Sequence, residues 1–324
     1  MKQFLFVLFL CLSLALTGCT SRQPTSVSAP VQPSEAPAQA AAQPTAEQTQ
    51  VPPTDTIVLP TDTPAPELKP ASTLAPLPPE PQRVEFEASD GAKLVGMYYP
   101  AAVNPALVVV LMHWAGGDKN DWIFLGMAAW LQNRGLEVPA TTQRMAFDTS
   151  YPFPPLSEEL SFGVFIFDFR GFGESEQVSG GMSALASLWL LDAQAAYSVA
   201  RTLEGADPER VVGMGASIGA DAVVDACGEG CLGALSYGPG NYLTMAYSEA
   251  VAALELQGKT AWCVGANDDP PAVMACNSAE GEHYLMQIYA KGGHALELFR
   301  SDLDLDPPIE KITLDFLKTV FGIE

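Results

Sequence analysis

Basic residues are scarce: 16 Lys and Arg stand against 38 Asp and Glu in 324 residues, a formal net charge of −22. No Lys/Arg cluster interrupts that deficit, so nucleic acid and anionic surfaces are excluded as electrostatic partners. Histidine is scarcer still, with three in the chain. None of the three is spaced against cysteine in a ligand pattern, which leaves no zinc signature, and the expectation is no metal and no cofactor. The glycine-rich turn Gly171-Phe172-Gly173 is not followed by the Gly-Lys-Ser/Thr of a phosphate loop. There is no internal repeat, and the apolar run Phe4–Leu16 is too short to cross a bilayer comfortably.

What is present at the amino terminus is an export pattern: Lys2, the apolar run, then Leu16-Thr17-Gly18-Cys19. That ending resembles the lipobox of bacterial lipoproteins. The resemblance implies cleavage after Gly18, lipidation of Cys19, and an exported chain held to a membrane face by several acyl chains. With Cys11 removed and Cys19 acylated, four thiols remain. They allow three pairings, and their separations make Cys227–Cys231 and Cys263–Cys276 the expected bridges.

From Thr20 to about Gln82 the composition is Pro, Ala, Thr, Gln and Ser with almost no aromatics. Such a stretch buries too little apolar surface to offset its ordering entropy, and it reads as a tether. The expected division is a signal peptide over 1–18, a tether over 19–82 and a folded domain over 83–324.

Within that domain VEFEASDGAKLVGMYYP alternates apolar and polar residues around Ser89-Asp90-Gly91, which predicts an antiparallel hairpin. ALVVVLMH follows as a short, wholly apolar strand, and Asn120–Arg134 reads as one amphipathic helix. GVFIFDF, RVVGMGA, LGALSYG, KTAWCVG and YLMQIYA are further buried-strand candidates separated by helical stretches, of which Ala184–Leu203 and Pro308–Phe321 are the clearest. Near-continuous apolar strands alternating with helices predict an α/β class, a doubly wound, mostly parallel sheet with an antiparallel start.

In such a sheet the loops at the carboxyl ends of the strands converge on one site. VVGMGASIGA places Ser217 in Gly215-Ala216-Ser217-Ile218-Gly219, between a strand and a helix. A serine hydroxyl needs a base, and His294 follows the last strand in AKGGHAL. The base needs a carboxylate, and Asp268 and Asp269 both follow the strand Thr260–Val264, whereas the loop after LGALSYG offers none.

Together these residues, from about Val84 to Glu324, resemble the α/β-hydrolase superfamily, nearest to its dienelactone hydrolase-like and small serine esterase branches. The resemblance implies the chain order Ser, acid, His of that fold. It favours Asp268, through Gly265-Ala266-Asn267-Asp268, as the triad acid, with Asp269 as the alternative one residue away. It implies an oxyanion hole from the amides of Ile218 and Ala115, the latter in His113-Trp114-Ala115-Gly116-Gly117, where Trp114 stands in the place of the usual Gly. Asp168-Phe169-Arg170-Gly171-Phe172-Gly173-Glu174-Ser175 matches a structural loop of the superfamily, with Asp168 and Arg170 expected to pair with each other or to hold backbone.

Dienelactone hydrolases carry Cys at the nucleophile and this chain carries Ser217, so serine acyl-hydrolase chemistry is implied and dienelactone as substrate is not. Only Asn241–Lys259 separates the sixth strand from the seventh, so no large lid is expected. The insertion Glu137–Leu160 is expected at the strands' amino ends, away from the site. Tyr237, Tyr242, Trp114 and Phe172 are the aromatic candidates for the pocket, and Arg170 is the one base among its loops. A small neutral carboxylic ester is the expected substrate. A peptidase or amidase of the same fold, and a non-catalytic binding lipoprotein, are the alternatives.

Overall fold

The chain falls into two units, residues 1–67 and 68–324. The computed structural model describes residues 75–139 and 147–323, all within the second unit. Cys19, the signal segment and most of the expected tether therefore lie outside the described residues. The backbone carbonyls of Leu77 and Pro79, ahead of the expected boundary at 82, are already held by Arg134 Nη1 (2.6 Å) and Gln132 Nε2 (2.7 Å).

Eight strands form one sheet in the order β1-β2-β4-β3-β5-β6-β7-β8. The hairpin β1 (Gln82–Glu87) and β2 (Lys93–Tyr99) is antiparallel, and β2 meets β4 (Gly163–Phe167) antiparallel. β3 (Ala106–Met112), β5 (Ala206–Ala216), β6 (Cys231–Tyr237), β7 (Thr260–Ala266) and β8 (Tyr284–Tyr289) continue the sheet from β4 in parallel.

The apolar strand runs have a direct cause, since both faces of the sheet are covered. Val109 and Leu111 face a core built with Trp122, Leu131 and Phe316, while Val108, Val110 and Met112 face another built with Trp189, Ala193 and Val223. The first layer comes from α1 (Asn120–Phe124), α2 (Met127–Gln132) and α7 (Ile309–Phe321). The opposite layer comes from α3 (Met182–Ala200), α4 (Ile218–Asp225), α5 (Tyr247–Glu255) and α6 (Pro270–Ser278).

Two expectations are corrected. Asn120–Arg134 is two short helices, because Gly126 between them is left-handed (φ 84°) and a Cβ there would strike the Tyr151 ring. The insertion after α2 also does more than close the far end of the sheet. Thr149 bridges to Arg300, Ser150 N donates to Phe299 O (2.7 Å), and Phe153 packs on Trp130 and Phe299. From residue 147 on, the insertion thus packs on the α1/α2/α7 face and braces the 3-10 turn Ala295–Phe299 that follows His294. Between β6 and β7 the chain makes the single helix α5, which leaves the sheet's carboxyl edge without a large lid.

Candidate active site

Ser217 sits at the hinge between β5 and α4, the sharpest turn of the site. Its φ of 53° and ψ of −114° lie outside the regions open to ordinary L-residues, a strained geometry kept only where the surroundings over-determine it. The surroundings do so here. Ser217 N donates to Tyr237 O (3.0 Å), and Ala220 N returns to Ser217 O (2.8 Å). A Cβ on Gly215 would run into the Gly219 backbone, and one on Gly219 into the Met112 carbonyl, so both flanking glycines are required by close approach.

His294 Nε2 lies 2.8 Å from Ser217 Oγ, and His294 Nδ1 lies 2.7 Å from Asp269 Oδ2. A carboxylate only accepts, so the ring proton belongs on Nδ1 and Nε2 is left to accept from the serine. Ser217 and Asp269 are 6 % exposed, whereas the His294 side chain is 31 % exposed, which opens the histidine to an incoming molecule.

The carboxylate that meets His294 is Asp269, and the expectation that Asp268 does so is corrected. β7 ends at Ala266, and Asp269 N folds back to Ala266 O (2.9 Å), so Asn267 and Asp268 form the turn. Asp269 then takes the position before α6, whose first residue is Pro270, and its side chain is buried against His294. Asp268 Oδ1 instead accepts the amides of Gly292 (3.0 Å) and Gly293 (3.1 Å), which shapes the loop that delivers His294. The signal for this was Pro270: a proline at the first helical position marks where a helix begins, and hence which aspartate closes the loop.

Ile218 opens α4, where amides have no acceptor within the helix and the dipole favours negative charge. Ala115 lies half-buried in the loop after β3, which is tightly specified. His113 Nδ1 donates to Trp114 O (2.7 Å) and His113 Nε2 accepts from Phe169 N (3.0 Å), so both ring nitrogens are occupied in the neutral form. Burial holds the His113 pKa below the usual histidine range, in keeping with that role. Trp114 Nε1 donates to Asp121 Oδ2 (2.8 Å), which sets the indole 6.5 Å from the His294 ring.

Asp168 and Arg170 do not pair with each other. Asp168 takes Lys119 Nζ (2.6 Å) and the amides of Lys119 and Glu174 (2.8 Å each), while Arg170 binds Asp192 and Asp90. The Asp168–Lys119 pair ties the β4 loop to the chain just after the Ala115 loop. Of the four aromatic candidates, Trp114 and Tyr242 border His294, whereas Tyr237 is buried with its hydroxyl 2.7 Å from Thr313 Oγ1, and Phe172 packs on His113 and Trp189. Composition could not separate these roles, because all four lie at or just after the carboxyl end of a strand.

Cys227–Cys231 and Cys263–Cys276 are at bonding distance (1.98 and 1.97 Å). The second bridge ties α6 to β7 and so brackets the loop that carries Asp269. Among the described residues no group of three or more His, Cys, Asp and Glu could hold a metal ion.

No protein-family model matches the chain. The uncharacterized protein YfhR of Escherichia coli K12 is 31 % identical over 157 residues, 48 % of this chain and 44 % of that one. YfhR of Salmonella typhi is 29 % identical over 160 residues, 49 % of this chain and 44 % of its own length. The match thus spans less than half the length of these curated relatives. Among solved structures, the α/β hydrolase GrgF from Penicillium sp. sh18 superimposes with a TM-score of 0.52 at 15 % identity, covering 75 % of this chain and all of that one. DcsB, solved in complex with a substrate analogue, gives 0.51 at 12 % identity, covering 74 % of this chain and 99 % of its own. These likenesses, with the strand order, the antiparallel first hairpin and the strand–turn–helix at Ser217, show that the chain has the α/β-hydrolase fold.

Proposed function

We propose that the protein is a serine acyl hydrolase that cleaves a small neutral carboxylic ester through an acyl-enzyme on Ser217. The observation that carries the reading is the unbroken hydrogen-bond chain Ser217 Oγ–His294 Nε2, His294 Nδ1–Asp269 Oδ2. Ser217 Oγ attacks the acyl carbon as its proton passes to His294 Nε2. Asp269 holds the ring in the required tautomer and stabilises the imidazolium. The carbonyl oxygen, now negative, is received by the Ile218 and Ala115 amides. His294 then protonates the leaving alkoxide, and a water activated by the same nitrogen releases the acid. The chain's own acidity and the one interior guanidinium near the loops, Arg170, already bound by two aspartates, favour an uncharged substrate.

The amino-terminal pattern supports export and lipidation at Cys19, with membrane attachment by that route. A fluorophosphonate probe tests the chemistry. The full-length protein is expected to label and Ser217→Ala is not; no labelling of the wild type, or equal labelling of both, rejects the nucleophile. Esters run beside peptide amides decide between esterase and peptidase. Incorporation of labelled palmitate into the wild type, lost in Cys19→Ala, tests the anchor.

A further inference from the structure

The loop after β6 approaches Ser217 from the side of the sheet opposite the Ala115 loop. β5 lies between β3 and β6 in the sheet, so donors after β3 and side chains after β6 reach the serine from opposite flanks. The β6 loop brings Tyr242. Its ring stands edge-on to His294 (centroids 6.2 Å, interplanar angle 88°), the imidazole whose Nε2 meets Ser217 Oγ. We infer that Tyr242 is a catalytic hydrogen-bond donor on the leaving-group side of the reaction, across Ser217 from the Ile218 and Ala115 amides. This rests on the acyl-hydrolase reading above.

Three features make the placement more than packing. First, the loop is pinned by a buried carboxylate: Asp221, one turn into α4, accepts the amides of Gly240 (3.3 Å) and Tyr242. Asn241 is left-handed (φ 59°), and its Oδ1 takes Tyr247 N (2.7 Å) to start α5. Tyr242 therefore hangs from the same helix that presents Ser217, and the two move together. Second, a Cβ on Gly240 would meet the Tyr242 ring, so the ring is seated against bare backbone. Third, the phenol stays protonated. Burial, then the charges of Asp269 and Asp221, push it up to about 12. A neutral phenol is a donor and not a base.

The proton balance is simple. The serine proton goes to His294 Nε2 on attack, and the same proton goes to the leaving oxygen as the acyl–oxygen bond breaks. Tyr242 keeps its own proton and donates a hydrogen bond to that oxygen while its negative charge develops. The help matters in proportion to that charge, so poor leaving groups such as alkoxides depend on it and nitrophenolate hardly does.

The test compares wild type with Tyr242→Phe, which keeps the ring, on acetate esters of p-nitrophenol, phenol, trifluoroethanol and ethanol. The expected kcat/KM loss is under about threefold for the nitrophenyl ester and about 10- to 100-fold for the ethyl ester. The slope of log kcat/KM against leaving-group pKa becomes steeper. A uniform loss across the series, or none, overturns the assignment. Fluorophosphonate labelling is run beside it, since fluoride leaves without a proton. Tyr242→Phe is expected to label at Ser217 as the wild type does; loss of labelling in the variant alone would move the phenol's role to Ser217 and overturn the leaving-group assignment. Absence of labelling in the wild type fails the acyl-hydrolase reading itself, a separate result. Asp221→Asn, which keeps the fold of α4 but weakens the grip on the loop, is expected to reproduce the steeper slope in part; an unchanged slope would overturn the positioning of Tyr242 by Asp221.

Discussion

Asp269 Oδ2 stands 2.7 Å from His294 Nδ1, while Asp268, the residue before it, turns away to bind the Gly292 and Gly293 amides. Two neighbouring carboxylates thus serve one histidine at different removes. One sets the ring, and the other sets the loop that carries it. Asp269→Asn is expected to lower kcat about 10³- to 10⁴-fold by losing the tautomer and the imidazolium's partner. Asp268→Asn should cost no more than about tenfold, through slight misplacement of the ring. Steady-state ester hydrolysis by the two variants decides, and a larger loss from Asp268→Asn would reverse the roles.

Lys119 and Asp168 form a buried ion pair, with Lys119 3 % and Asp168 0 % exposed. Its partners are on the two loops that follow β3 and β4, so it fixes the Ala115 loop against the Asp168–Ser175 stretch. Removing the lysine leaves the carboxylate with amide donors only. Lys119→Met is expected to destabilise by about 3 kcal/mol, the range for breaking a buried pair from one side, and to lower kcat more than it raises KM. Urea unfolding measures the first and ester kinetics the second. Unaltered stability would show that the pair contributes nothing beyond what the amides supply.

Cys263 and Cys276, 13 positions apart in the sequence, close a loop that contains Asp269. A crosslink over a loop of that length stabilises by about 3 kcal/mol, largely by restricting the unfolded chain. The paired change Cys263→Ala with Cys276→Ala is therefore expected to lower Tm by about 6–12 °C. Treatment of the wild type with a thiol reductant under partly unfolding conditions, which opens Cys227–Cys231 as well, should lower it at least as far. A Tm that does not move in the paired variant would mean that the bridge is not formed in the protein.

Most of the architecture was legible because each layer left its own mark on the chain. Val108–Met112 is apolar at every position because both sides are covered, and Gly215 and Gly219 flag the tight approach around Ser217. What was not legible depended on tertiary neighbours. The break at Gly126 follows from the Tyr151 ring, which arrives from an insertion 25 residues further along the chain. Arg170 binds Asp192 and Asp90, two aspartates distant in sequence, where a local reading saw only Asp168 beside it. The choice between Asp268 and Asp269 turned on where β7 stops, and a one-residue uncertainty at a strand end exchanges two adjacent carboxylates. The aromatic residues at and after the end of β6 looked alike because a side chain's face depends on pleat and turn, which separate Tyr237 in the core from Tyr242 at the site.

Asp225 supplies a pH dependence of opposite sense to that of a salt-bridged carboxylate. Both of its oxygens are buried without a hydrogen-bond partner among the described residues. Burial, and then the nearby charge of Asp221, raise its pKa from 3.8 to about 7; burial raises Asp221 to about 6 against the pull of the amides it accepts. An acid whose folded pKa lies above its unfolded one holds its proton longer in the native state. Between about pH 4 and pH 7 the native chain therefore binds more protons than the unfolded chain, and stability falls as pH rises through that window. Above about pH 7 the full cost of a buried, unpartnered charge is present. Asp225→Asn removes the charge and keeps the shape, so its Tm should exceed the wild-type value by about 2–6 °C at pH 8. The gap should shrink toward zero as pH is lowered to 4. Scanning calorimetry of both proteins across that range reads the difference directly, and a gap that is constant with pH, or that widens on acidification, would show that Asp225 is not the group that titrates.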